Sequence, residues 1–222
     1  MSPKEKIQSI VSVFETGSAT PKYYKLVVMN DGKDKSRQIT YGKHQTTEQG
    51  NLVELVAMYV AAPGAKYAAQ LTPYLCKIGR IPLHNDVAFK QLLIDAAVND
   101  IAVMQKVQDD FFDKLYWNPA EKFCDTNDFK KLLSKLVIYD SHIHSGSVPP
   151  FLRRRFAEKV PVKGGSEEKW IASYVETRHQ WLQYHDNELL RRTVYRTQCF
   201  KNQIASSNWD LTQPVNANGI II

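Results

Sequence analysis

The chain has 222 residues, 43% of them hydrophobic and 23% charged, with only 10 glycines and 10 prolines. Those values exclude a collagen-like or disordered chain and suit one large domain or two lobes around a shared core. Lys and Arg number 29 against 23 Asp and Glu, a net charge of +6. Such a surface favours anionic partners (nucleic acid, anionic lipid or an acidic polymer) and by itself says nothing about chemistry. No stretch approaches the ~20 apolar residues of a membrane helix. Cys76, Cys124 and Cys199 lie far apart with no Cys-x-x-Cys pair, which argues against a zinc ribbon, a thioredoxin-type site or a dense disulfide framework.

Hydrophobic spacing is helical almost throughout. Ile7, Ile10, Val11 and Phe14 mark a first helix ended by Gly17. Strand signals follow: Tyr23, Tyr24, Leu26, Val27 and Val28 run into Asn30-Asp31-Gly32, a turn sequence, and Ile39-Thr40-Tyr41 comes after a polar loop, Lys33 to Arg37. Leu52, Leu55, Val56 and Tyr59 predict a second helix stopped at Pro63-Gly64. From Phe89 to Leu115 an apolar stripe predicts one long helix over roughly 86–116. Further helices are expected at 128–139, 167–185 and 187–204, with Asp86 and Asp128 as caps or first-turn acids. No strand is expected outside the segment between the first two helices. The class is therefore α+β, mainly α, with one small sheet near the N-terminus.

Glu15 ends an apolar helix and Asp31 sits in the turn of the following β segment. A glycosidase needs two such carboxyls, one protonated to donate to the leaving oxygen and one ionised. Taken alone the pair is weak, because any chain of this size has many. Around it, however, stand Phe14-Glu15, Asn30-Asp31-Gly32, Ile39-Thr40-Tyr41-Gly42 and Gln49-Gly50-Asn51-Leu52-Val53-Glu54-Leu55-Val56. Later come Ala96-Ala97, Asn99-Asp100, Gln108-Asp109, Tyr116, Pro119-Ala120, Tyr139-Asp140, Gly164-Gly165, Glu176-Thr177-Arg178, Arg196 and Asp210-Leu211. In this order, over nearly the whole chain, they resemble the chitosanase family of glycoside hydrolases, within the lysozyme-like superfamily.

The resemblance implies a lysozyme-like fold: a single catalytic domain, 1–222, whose two lobes flank a substrate cleft and are bridged by the long helix. It implies Glu15 as general acid, Asp31 as general base, and Thr40 holding the attacking water with Asp31. Asp140, Arg178 and Arg196 correspond to the buried ionic network that tunes the acid in that family. Extra residues between Asp31 and Thr40 depart from the family pattern and leave Asp34 as an alternative base. Asn51 stands where chitosan-cleaving members carry an acidic residue, and Asn cannot pair with a glucosamine ammonium. Asn51, Tyr41 and His44 are expected to contact substrate.

His142 and His144 stand at alternate positions with no Cys nearby, a poor metal pair, so no metal is expected, and no cofactor. Trp117, Trp170, Trp181 and Trp209 are expected in the core rather than as sugar platforms. Arg153-Arg154-Arg155 has no nucleic-acid motif beside it, so neither nucleic acid nor membrane is an expected partner. The resulting expectation is an inverting, metal-free endo-hydrolase of a β-1,4 amino-sugar polymer, with bacterial peptidoglycan favoured over chitosan. The N-terminal segment is too charged for a secretory signal. The chain is then cytoplasmic, exported by a route that reads no such signal, or trimmed from a larger one; the substrate expectation favours action outside the producing cytoplasm, with a cognate inhibitor as a partner. The rival expectation is a non-catalytic lysozyme-like module that binds an anionic glycan or nucleic acid.

Overall fold

The computed structural model describes residues 1–222. It opens on α1, Pro3–Thr16, whose ends are set locally. Ser2 Oγ accepts from the Glu5 amide and Glu5 Oε2 accepts from the Ser2 amide, a reciprocal capping box that satisfies two otherwise unpaired donors. Gly17 closes the helix in the left-handed region at φ 71°, where its amide donates to Val13 O. The buried face of α1 is Ile7, Ile10, Val11 and Phe14, as its spacing predicts.

Two compact units follow from the contacts: Pro21–Asp113, and Met1–Thr20 together with Lys114–Ile222. The first holds strands β1 (Leu26–Met29), β2 (Gln38–Tyr41) and β3 (Thr46–Thr47) in one antiparallel sheet of that order. Val27 pairs with Thr40 and Met29 with Gln38; Thr40 also faces Thr47. Helices α2 (Leu52–Ala61), α3 (Ala68–Leu71), α4 (Val87–Asn99) and α5 (Ile101–Phe112) complete this unit. Ile39, Leu55, Tyr59, Phe89, Leu93 and Phe111 are all buried and supply its core. Asp86 caps α4, its carboxylate accepting from the Phe89 amide.

The single helix predicted over 86–116 is broken. Asp100 leaves the helical region (φ −131°, ψ 47°) between α4 and α5. Its buried carboxylate accepts from Tyr59 Oη at 2.6 Å and from the Lys66 amide at 3.0 Å. A buried carboxylate needs such donors, and turning the backbone at residue 100 brings it to them. After α5 the chain makes one wide π-type turn, Asp113–Trp117.

In the other unit come α6 (Asn118–Asn127), α7 (Leu132–Ser145), α8 (Pro150–Arg153), α9 (Glu167–Gln183), α10 (Glu188–Arg191) and α11 (Val194–Ala205). A hairpin of β4 (Asn216–Ala217) and β5 (Ile220–Ile221) follows. Asp128 does not start a helix: it stops α6 in the left-handed region at φ 63°, and α7 begins only at Leu132. The helix expected over 187–204 is two, interrupted at Arg192-Thr193. The fully embedded helix is α7, buried without interruption from Leu136 to His142. α1, α6, α9 and α11 all pack against it. Trp170 and Phe129 lie edge to face at 4.9 Å in this core, Trp117 is buried, and Trp181 and Trp209 pack partly exposed against it. No helix is long and apolar enough to cross a membrane.

Candidate active site

The last turn of α1 presents Glu15 to a chain of charges. Phe14 beside it is buried, edge-on to Tyr195 and Phe200 at 5.8 Å each, and Tyr195 Oη donates to Phe14 O at 2.7 Å. That packing fixes where the next side chain leaves the helix. Arg196 Nη1 donates to Glu15 Oε1 at 2.6 Å. The same guanidinium donates to Asp140 Oδ1 through Nε (2.9 Å) and Nη2 (2.5 Å). Asp140 Oδ2 accepts from Arg178 Nη1 at 2.6 Å. One residue each from α1, α7, α9 and α11 thus forms a continuous line, Glu15–Arg196–Asp140–Arg178.

Burial separates the four. Asp140 and Arg178 are fully buried and Arg196 nearly so, whereas the Glu15 side chain is 28% exposed. Burial alone would push the Asp140 carboxyl up, but the guanidiniums of Arg196 and Arg178 hold it below the usual carboxylate range. Burial, reinforced by the two arginines, pushes His144 down to about 4, so it is neutral at neutral pH. Tyr116, in the wide turn, has its phenol pushed up by burial and then by the charge of Glu15. The spacing of Glu15, Asp140, Arg178 and Arg196 in sequence shows none of this pairing; their order in the family resemblance does.

Within the other unit, Asp31 lines an open depression of about 620 Å³ with Val28, Met29, Asn30 and Arg37. Its Oδ1 accepts from Gln38 Nε2 at 3.0 Å. Thr40 lies in β2, nearly fully buried, and its Oγ1 makes no hydrogen bond within the chain. Asp34 is exposed in the left-handed region (φ 54°), outside the lining of that depression. Asn51 is exposed just before α2 and does not cap it with its side chain. His44 packs edge-on against Phe112 at 4.6 Å.

Tyr41 departs from expectation. Its ring is completely buried and its hydroxyl donates to Leu93 O at 2.7 Å. It is a core residue that ties β2 to α4, with no surface left for a sugar. Sequence reasoning passed over Tyr195, Gln38 and Gln49, and weighed His144 only as half of a metal pair. Gln49 lies in the quoted Gln49-Gly50-Asn51 segment; nothing local marks Tyr195 or Gln38.

The chain is a glycoside hydrolase, and it is the comparisons with known proteins that show this. The family model described as Glycosyl hydrolase family 46 matches residues 9–215, and the chain belongs to that family. A chitosanase from Bacillus subtilis (strain 168) is 26% identical over 237 residues, covering 96% of this chain and 80% of its own. Among solved structures, the native chitosanase from Bacillus subtilis MY002 superposes with a TM-score of 0.77 at 24% identity, covering 99% of this chain and 98% of that one. The Gynuella sunshinyii GH46 chitosanase in complex with chitotetraose gives 0.76 at 20% identity, covering 99% and 96%.

Proposed function

We propose that the chain is an inverting endo-hydrolase of a β-1,4-linked amino-sugar polymer, with Glu15 as general acid and Asp31 as general base. The observation that carries this is the Glu15–Arg196–Asp140–Arg178 line, in which only the terminal carboxyl reaches solvent. Glu15 protonates the leaving glycosidic oxygen as the bond breaks. Asp31 takes a proton from a water that attacks the anomeric carbon from the opposite face, and Thr40 Oγ1 gives that water a second partner. The anchored position of Asp31 beside the depression supports it over Asp34 as the base.

Chitosan is the substrate supported by the names of the relatives. Peptidoglycan is the second reading, and two observations favour it. Asn51 supplies no carboxylate for an ammonium, and Arg37 lines the depression beside Asp31 without an ion-pair partner. A cation there repels glucosamine and attracts the carboxylates of peptidoglycan stems. Both polymers lie outside the cytoplasm, and we place the site of action there. On the peptidoglycan reading the producer needs a cognate inhibitor.

The test is a pair of rates on soluble chitosan and on purified peptidoglycan, with Glu15→Gln as control. The variant should lose on the order of 10²–10⁴-fold on the cleaved polymer while folding normally. Fresh product should carry the α-anomer by NMR before mutarotation. Turnover by a folded Glu15→Gln chain, or a β-anomer burst, overturns the mechanism. Activity on neither polymer overturns the substrate class.

A further inference from the structure

The loop that carries Asp31 lacks the usual means of being held. None of the residues from Lys33 to Arg37 is buried, and Asp34 and Lys35 both sit at positive φ. Two glutamine side chains hold it. The Gln49 amide donates to Gln38 Oε1 at 3.0 Å, and Gln38 Nε2 donates to Asp31 Oδ1 at 3.0 Å. Gln38 is only 4% exposed. Its orientation has no freedom: reversing the amide would set two donors against each other at Gln49 and two acceptors at Asp31. Gln49 is fixed in the same way, its Oε1 accepting from the Lys33 amide (2.7 Å) and its Nε2 donating to Ser36 Oγ (2.9 Å). Gly32 allows this approach, because a Cβ there would lie 2.6 Å from Gln49 Nε2 and 2.7 Å from Ser36 Oγ. The Gly32 amide closes the loop on Ser36 O at 3.0 Å.

We propose that Gln38 is a positioning residue for the base. It occupies one oxygen of Asp31 so that the other faces the attacking water, and Gln49 locks the Gln38 amide in the sense that allows this. The inference rests on Asp31 being the base. The side-chain donor bond of Gln38 goes to Asp31 and its acceptor bond comes from the Gln49 backbone amide, so the residue joins the proposed base to the fixed end of the loop.

The experiment compares Gln38→Met, Gln38→Glu, Asp31→Asn and the double variant Asp31→Asn/Gln38→Met. The full chain is used on whichever of soluble chitosan and purified peptidoglycan the wild type cleaves, with circular dichroism to verify folding. Gln38→Met should lower kcat on the order of 10–100-fold with KM little changed, the effect of a misaimed catalytic group. Gln38→Glu keeps the shape and the bond from Gln49 but faces Asp31 with a like charge at pH 7. When protonated it again donates, so its rate relative to wild type should rise as the pH falls from 7 to 5. In the double variant, Gln38→Met should remove nothing further, since the group it aims is already gone. Wild-type kcat in Gln38→Met, a flat Gln38→Glu ratio, or an additional loss in the double variant overturns the positioning role while Asp31→Asn stays inactive. If Gln38→Met fails to fold, the near-isosteric Gln38→Glu decides alone by its pH ratio. An active Asp31→Asn chain refutes the assignment of the base instead.

Discussion

Replacing Asp140 with asparagine changes one atom and removes the charge on which two buried guanidiniums converge. Asp140 accepts three charge-assisted bonds, at 2.9, 2.5 and 2.6 Å, from Arg196 Nε, Arg196 Nη2 and Arg178 Nη1. An asparagine amide has one oxygen for these donors and turns an N–H₂ group toward the rest. Breaking a buried pair by removing one partner typically destabilises by 3–5 kcal/mol, because the remaining charge stays out of water. Here two cations remain, with the partly exposed Glu15 as their one carboxylate partner. For a chain of 222 residues each kcal/mol moves the melting point by roughly 2–4 °C, so Asp140→Asn should lower it by about 6–20 °C at pH 7. Calorimetry should show the loss in the transition of the unit that contains α7, α9 and α11. The pH dependence adds a sign. The folded Asp140 carboxyl lies below its unfolded value of ~3.9. Its contribution is therefore present above that pH and is lost as the pH falls through the folded value. The gap between wild type and variant should accordingly begin to narrow below about pH 4. A shift under about 3 °C at pH 7, or a gap that does not narrow as the pH falls, would refute the view that this carboxylate holds the two arginines.

His144, neutral in the folded chain down to about 4 against ~6.5 when unfolded, makes unfolding take up a proton between those values. Stability should fall from pH 6.5 toward 4 by up to about 1.4 kcal/mol per pH unit from this residue, and His144→Gln should flatten that slope in denaturant titrations. Tyr41→Phe should cost about 0.5–1.5 kcal/mol for the lost bond to Leu93 O and leave KM unchanged; an altered KM would return Tyr41 to the substrate surface. Gly42→Ala would place a Cβ 2.5 Å from Gln108 Oε1 at φ 85°, so it should destabilise by about 1–3 kcal/mol in equilibrium unfolding, and wild-type stability would mean that Gln108 can move aside.

Much of the fold is legible because its signals are local. α1 carries its cap, its apolar face and its terminal glycine within seventeen residues. The break at Asp100 is not legible in that way, since the apolar stripe runs on through it, and the donors that turn the chain, Tyr59 and Lys66, are some forty residues upstream. The β4–β5 hairpin shows a different failure. Asn218-Gly219 is a strong hairpin turn sequence, with both residues at positive φ, but the flanking strands are two residues long and give no alternation to notice. In the site, the ionic line through Glu15, Arg196, Asp140 and Arg178 is legible only through the family resemblance, which rests on the order of these residues along the chain. Tyr41 shows the limit of that reasoning: it neighbours Thr40 in sequence, yet the strand's alternation sends it to the opposite face. Gln38 carries no signal, because a polar residue at a strand end reads as an ordinary surface position.

The unit that carries Glu15 is assembled from two separated stretches of chain, with the whole of Pro21–Asp113 made between them. On the ribosome the inner unit is therefore complete while α1 still has nothing to lie against. Ile7, Ile10, Val11 and Phe14 share their core with residues from Trp117 onward, α7 above all. Glu15 and Arg196 are 181 residues apart. At 5–20 residues per second the helix waits roughly ten to forty seconds for the arginine that will hold its carboxyl. The proposed acid is thus held in place only after the whole of the inner unit and the helices up to α11 have been made.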